Sequence, residues 1–237
     1  MIVKNKKIFG VGVVFAISFL SVLALIFSPI FGEGKNGLVY SDNSFNKLAK
    51  GSSYFIPKVA KSVETYVGKP LSISIKLEKP EDVEATAKLF TTAGAKVETN
   101  NTQIKIEGDL GVILQSTLKD ADSMYKNDGK TVSERYGYEE KMAMKNWWTA
   151  LNTISKELKK QKIVADAKVI DDVNKKAVEP GYNFYKIDAN NVVDHAGMMS
   201  GLLIFYVAYT MWWGYAIFYM FDGLGLSMKK AKVKKEA

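Results

Sequence analysis

Residues 196–221 read AGMMSGLLIFYVAYTMWWGYAIFYMF, a run of 26 positions without an acid, lysine, arginine or histidine. A helix needs about 20 apolar residues to cross hydrocarbon, so this stretch is expected to be a membrane span. Its edges are sharp. Asp194 and His195 stand on one side, and Asp222 followed by Lys229, Lys230, Lys232, Lys234 and Lys235 on the other. Ile8 to Phe31 is a second uncharged run, preceded by Lys4, Lys6 and Lys7. That pattern also describes a signal peptide, whose apolar core is about 7–15 residues and ends at a small-residue cleavage site. Here the core is longer and no Ala-x-Ala-like site follows it, so a retained helix is expected.

The formal charge of +8 sits almost entirely beside these two runs. Three lysines precede the first, and five lysines against Glu236 follow the second, which leaves a net charge of only +1 for everything between. A nucleic-acid-binding surface is not indicated by so neutral a middle. Lysines flanking short segments are retained on the cytoplasmic side. Both termini are therefore expected in the cytoplasm of a bacterium, with the central portion exported across the inner membrane to the periplasm or its equivalent. The mean hydropathy of −0.06 averages greasy ends with a polar middle. The absence of cysteine excludes disulfides and thiolate metal sites.

Between the spans, residues 32–43 are rich in Gly, Asn and Ser and read as a linker. Leu48, Phe55, Val59, Val63 and Tyr66 recur mostly at helical spacing to residue 68, interrupted by Gly51 and Pro57, which fits one broken helix or two short ones. Leu71, Ile73, Ile75 and Leu77 then alternate with polar residues, the period of a half-buried strand. Glu81 and Asp82 open a helix that Gly94 closes. Asn100-Asn101 joins two short strands as a hairpin, and Asp109 caps a helix bearing Leu110, Ile113, Leu114, Leu118 and Tyr125. Residues 69–129 thus form a βαββα unit with a three-stranded sheet and two packed helices, lacking the last strand of a ferredoxin-like arrangement. In residues 130–180 a helix is expected from Ser133 to about Lys160. Trp147, Leu151, Ile154 and Leu158 form its stripe, and a bend at Lys159–Lys162 leads to a second helix, an αα-hairpin ended by Pro180-Gly181. Residues 181–195 return to the second span, and residues 222–237 form a basic cytoplasmic tail. The expected whole is an α+β membrane protein with two transmembrane helices flanking an exported domain.

No phosphate-binding glycine loop, dinucleotide fingerprint or His-Glu-x-x-His occurs, and one histidine without cysteine excludes the commoner nucleophile–base pairs. The pairs Glu139-Glu140 and Asp171-Asp172 read as solvated faces, and Arg135, the sole arginine, as a surface contact near Tyr136 and Tyr138. His195 beside Met198 and Met199 offers nitrogen and sulfur donors to a cofactor shared with a neighbour, but a lone histidine reads first as a polar cap. The informative feature is the aromatic load of the second span. Gly201, Phe205, Ala208, Trp212, Tyr215 and Tyr219 share one helical face, while Tyr206, Tyr209 and Trp213 line an adjacent one. Gly197 and Gly201 form a Gly-x-x-x-Gly that admits a close helix neighbour. Two such faces exceed what one apolar partner helix covers. The expectation is a non-catalytic accessory subunit of a membrane complex for energy conversion or transport, touching lipid and other integral subunits and needing no cofactor of its own. The alternatives are a membrane-anchored ligand sensor and an electron-transfer subunit using His195.

Overall fold

The computed structural model describes residues 3–226. The lysine cluster after Met228 lies outside the described residues. The chain divides into two compact units, Met1–Phe45 with Asn191–Ala237, and Asn46–Asn190.

In the first unit, helix α1 (Lys6–Phe27) is capped by Asn5, whose side chain accepts from the N–H groups of Lys7 and Ile8. It ends four residues before the uncharged run does, because Ser28 turns extended before Pro29 (ψ 148°). Helix α2 (Gly37–Ser52) starts inside the stretch that reads as a linker. The Asn36 side chain accepts from Val39 N–H at 2.9 Å, so an asparagine that looks like loop composition acts as a helix start. A 3₁₀ turn (Val193–His195) leads into helix α10 (Ala196–Leu224), which Gly225 closes in the left-handed conformation.

Helices α1 and α10 pack antiparallel. The N–H groups of Lys4 and Asn5 donate to Gly223 O at 3.0 and 2.9 Å. Phe15 meets Tyr219 at 6.0 Å between ring centroids, and Phe19 stacks on Tyr209 at 4.3 Å. Both helices are long and apolar enough to cross a membrane, with only 11% and 6% of their apolar windows buried. That exposure separates them from the core helices of a soluble domain, which hide such residues.

The second unit is mixed α and β. Helix α3 (Ile56–Glu64), strand β1 (Pro70–Lys76), helix α4 (Glu81–Thr92), strands β2 (Lys96–Asn100) and β3 (Gln103–Asp109) and helix α5 (Leu110–Tyr125) follow in order. The sheet is antiparallel in the order β1-β3-β2, with Ile73 opposite Ile106 and Ile75 opposite Ile104. Asn101 takes the left-handed turn of the hairpin at φ 52°, and Asp109 caps α5 by accepting from Val112 N–H.

Helices α6 (Gly129–Tyr136), α7 (Glu140–Lys160) and α8 (Val164–Val173) complete the bundle. The helix expected to start at Ser133 is broken, because Gly137 adopts φ 73° and ends α6 before α7 begins. Lys162, at φ 63°, makes the turn into α8. A π-helical turn (Asn174–Val178) then passes into helix α9 (Glu179–Asn183), so Pro180 does not stop the run. Glu179 N–H reaches back to Asn174 O, and the proline falls in the first turn of α9, where its missing N–H is tolerated. The core joins sheet and helices: Phe90 meets Trp147 edge-on at 5.0 Å, among Ile104, Ile106, Leu114 and Ile154.

Candidate functional site

The first candidate is the surface of α10. Tyr209, Trp212, Trp213 and Tyr219, four aromatics of the two faces, pack on Phe15 and Phe19 of α1. Two glycines make that approach close. A Cβ on Gly12 would lie 2.6 Å from Met220 N, and one on Gly223 would lie 2.6 Å from Phe9 N. The other expected residues are left outside this seam. Helix α10 has 29 residues against 22 in α1, and α1 has ended before it reaches the outer turns of α10. A Cβ on Gly197 or Gly201 therefore meets nothing within 4 Å. Ala208 and Tyr215 are exposed, as is Phe205, whose one ring contact among the described residues is Tyr209 of its own helix. Tyr206 is 66% exposed and Ile204 69%. Among the described residues no hydrogen bond reaches the hydroxyls of Tyr206, Tyr209, Tyr215 or Tyr219.

His195 is the N-cap position of α10, and its Nδ1 lies 3.1 Å from Asn191 O. Among the described residues, no three His, Cys, Asp or Glu side chains come together as a metal would require.

Within residues 46–190 the polar side chains form several internal clusters. Asp120 of α5 is fully buried and accepts from the guanidinium of Arg135, the hydroxyl of Tyr136 and, at 2.9 Å, Trp147 Nε1. Arg135 thus clamps an internal carboxylate rather than lying on the surface. Burial pushes the Asp120 carboxyl above its usual range, against the pull of Tyr136, Trp147 and Arg135, and it also raises the Tyr136 hydroxyl. The sequence holds a signal for this cluster: Ile113, Thr117, Asp120 and Met124 recur at helical spacing, which sets a carboxylate on the apolar stripe of α5. Members of the two carboxylate pairs take separate partners. Asp171 accepts from Ser155 and Lys159, both at 2.6 Å, while Asp172 pairs with Lys176. Glu140 accepts from Tyr185 at 2.8 Å.

Lys50 is a further buried charge, 4% exposed. Its ammonium donates to Asn127 Oδ1 at 2.9 Å, Phe184 O at 3.1 Å and Ile187 O at 2.6 Å. It also lies 5.2 Å from the centre of the Tyr125 ring. Burial lowers its pKa, opposed by Asp188. With all three protons engaged, this amine ties Phe184 and Ile187 of the return segment to α2.

One open cavity of about 380 Å³ lies between α7 and α9, lined by Met144, Lys145, Trp148, Val178, Glu179 and Tyr182. Trp148 is 42% exposed and is fixed by donating to Glu179 at 2.9 Å. No strand residue lines this cavity. Comparison with known protein families, curated proteins and solved structures finds no match to this chain.

Proposed function

We propose that this chain is a non-catalytic accessory subunit of a multi-subunit membrane complex of energy conversion or transport. In this reading α1 and α10 cross a bacterial inner membrane as a helical hairpin. Both termini are cytoplasmic, and residues 46–190 cover or brace the outer face of the complex. The observation that carries it is the bare part of α10: after α1 has taken Tyr209, Trp212, Trp213 and Tyr219, a Gly-x-x-x-Gly and two tyrosines remain uncovered. In hydrocarbon a phenol without a hydrogen-bond partner is costly, and small residues let a neighbouring helix approach. Helices of neighbouring subunits, one against Gly201 and Tyr215 and another contributing an acceptor to Tyr206 on the other side of α10, satisfy both needs.

Solubilisation in mild detergent followed by native mass measurement tests this. The chain is expected to travel with other integral membrane polypeptides; a chain recovered without any would overturn the proposal.

A second reading, an anchored ligand-binding module, is favoured by the cavity flanked by Trp148 and Tyr182. Such a module would raise the unfolding temperature with a metabolite at concentrations well above its Kd.

A further inference from the structure

Strand β1 is an edge of the sheet. Its ladder with β3 fixes which main-chain groups look outward. Leu77 N–H donates to Thr102 O at 2.9 Å and Leu110 N–H to Lys69 O at 2.8 Å, both in the register that pairs Pro70 with Asp109 and Lys76 with Gln103. In an antiparallel pair, bonded and non-bonded positions alternate. The odd-numbered residues of β1 therefore turn their N–H and C=O to β3, and those of Ser72, Ser74 and Lys76 point away from the sheet. Among the described residues no main-chain hydrogen bond reaches these three outward positions.

Edges of this kind are normally blunted by a bulge, a proline, charged side chains such as lysine, or a short strand; here Pro70 and Lys76 stand at the two ends and leave the positions between them bare. Strand β1 has seven residues in unbroken register, and its proline is only the first of them. Its outward residues carry exposed side chains, two of them small serines. In the βαββα order seen here, a fourth strand completing the ferredoxin-like arrangement would lie at this edge.

The sequence of the strand indicates what pairs there. Leu71-Ser72-Ile73-Ser74-Ile75-Lys76-Leu77 reads alike in both directions about Ser74, except that Ser72 mirrors Lys76. We propose that β1 pairs antiparallel with β1 of a second copy of this chain, about a two-fold axis at Ser74, merging two sheets into one. That register sets Ile73 beside Ile75 of the second copy on the core side. It also opposes each Lys76 to a serine, so the two lysines do not face each other. Every outward N–H and C=O of Ser72, Ser74 and Lys76 is satisfied. A slip by one residue would set Ser72, Ser74 and Lys76 against residues whose N–H and C=O already face β3, so the alternation of the ladder restricts the pairing to even steps.

The chain has no cysteine, so a single introduced thiol reports the geometry. Across the proposed axis the two residues 74 form a bonded pair with Cα atoms about 5.5 Å apart, within disulfide reach. The two residues 72 stand about 14 Å apart, beyond it. Ser74→Cys in the full-length chain, oxidised mildly in its membrane, is expected to give at least ten times the disulfide dimer of Ser72→Cys. In the Ser74→Cys background, Ser72→Glu should raise the yield by facing Lys76 of the second copy, and Ser72→Lys should lower it. Equal yields at 72 and 74, no dimer at 74, or the same yield for both charge variants would overturn the pairing. This readout is separate from co-purification of other subunits, so either proposal can fail without the other.

Discussion

Replacing Asp120 with alanine is expected to destabilise the unit formed by residues 46–190 by about 3–5 kcal/mol, the cost of removing one partner of a buried ion pair. Three donors lose their acceptor at once: the Arg135 guanidinium, the Tyr136 hydroxyl and the Trp147 indole. Tyr136 and Trp147 are fully buried, so water cannot replace the carboxylate without opening the junction of α5, α6 and α7. Denaturant unfolding of the detergent-purified chain measures this, and a loss below about 1 kcal/mol would show the cluster to be peripheral. The pH dependence carries a second signature. Because burial raises the Asp120 pKa, the native state holds that proton more tightly than the unfolded chain. This contribution is complete below the unfolded value of about 3.9 and is lost as pH rises through the native pKa. Asp120→Ala should remove that slope, leaving the variant less sensitive to pH on the acidic side.

The second large effect is expected at Gly12. A side chain there has no room, with Met220 N, Met220 Cγ and Ala216 O within 2.6, 2.8 and 3.0 Å of a Cβ. Gly12→Leu should push α1 off α10 and dissolve the stacking of Phe19 on Tyr209. Gly10→Leu is the matched control on the same helix, since a Cβ there meets nothing within 4 Å. Lys4 N–H bonds Gly223 O, so cysteines replacing Lys4 and Leu224 lie close enough for a short bis-maleimide bridge. Overpacking costs about 1–3 kcal/mol, so bridging should fall roughly five-fold or more in Gly12→Leu and stay unchanged in Gly10→Leu. Equal bridging in both variants would mean that the seam at Gly12 is not formed.

The elements legible in the sequence are those fixed by neighbours in the chain. The alternation of Leu71 to Leu77 is enough to place β1, because period-2 burial needs only one covered face. The hairpin at Asn100-Asn101 and the Asp109 cap are likewise local chemistry. The departures have physical causes of longer reach. Gly137 ends a helix that its flanking residues would continue, and Pro180 is carried through by a π turn whose register the composition does not reveal. Asn36 looks like linker composition but starts α2. The site-level differences are stronger. Lys50 and its acceptors at Phe184 and Ile187 lie more than a hundred residues apart, and no local pattern marks a lysine that will be buried. On α10 the helical wheel gave the faces but not where α1 stops. For that reason Tyr209 and Tyr219 found partners on α1 while Gly197 and Gly201 did not.

In the proposed topology α1 and α10 cross one membrane, with both ends of the chain on its cytoplasmic side and residues 46–190 beyond it. Single-cysteine labelling of intact cells with a membrane-impermeant maleimide tests it most directly, because the parent chain carries no thiol of its own. Lys156→Cys on the exposed side of α7 is expected to label in intact cells, and Ala237→Cys only after the cells are broken. Labelling of residue 237 but not of residue 156 in intact cells would contradict it.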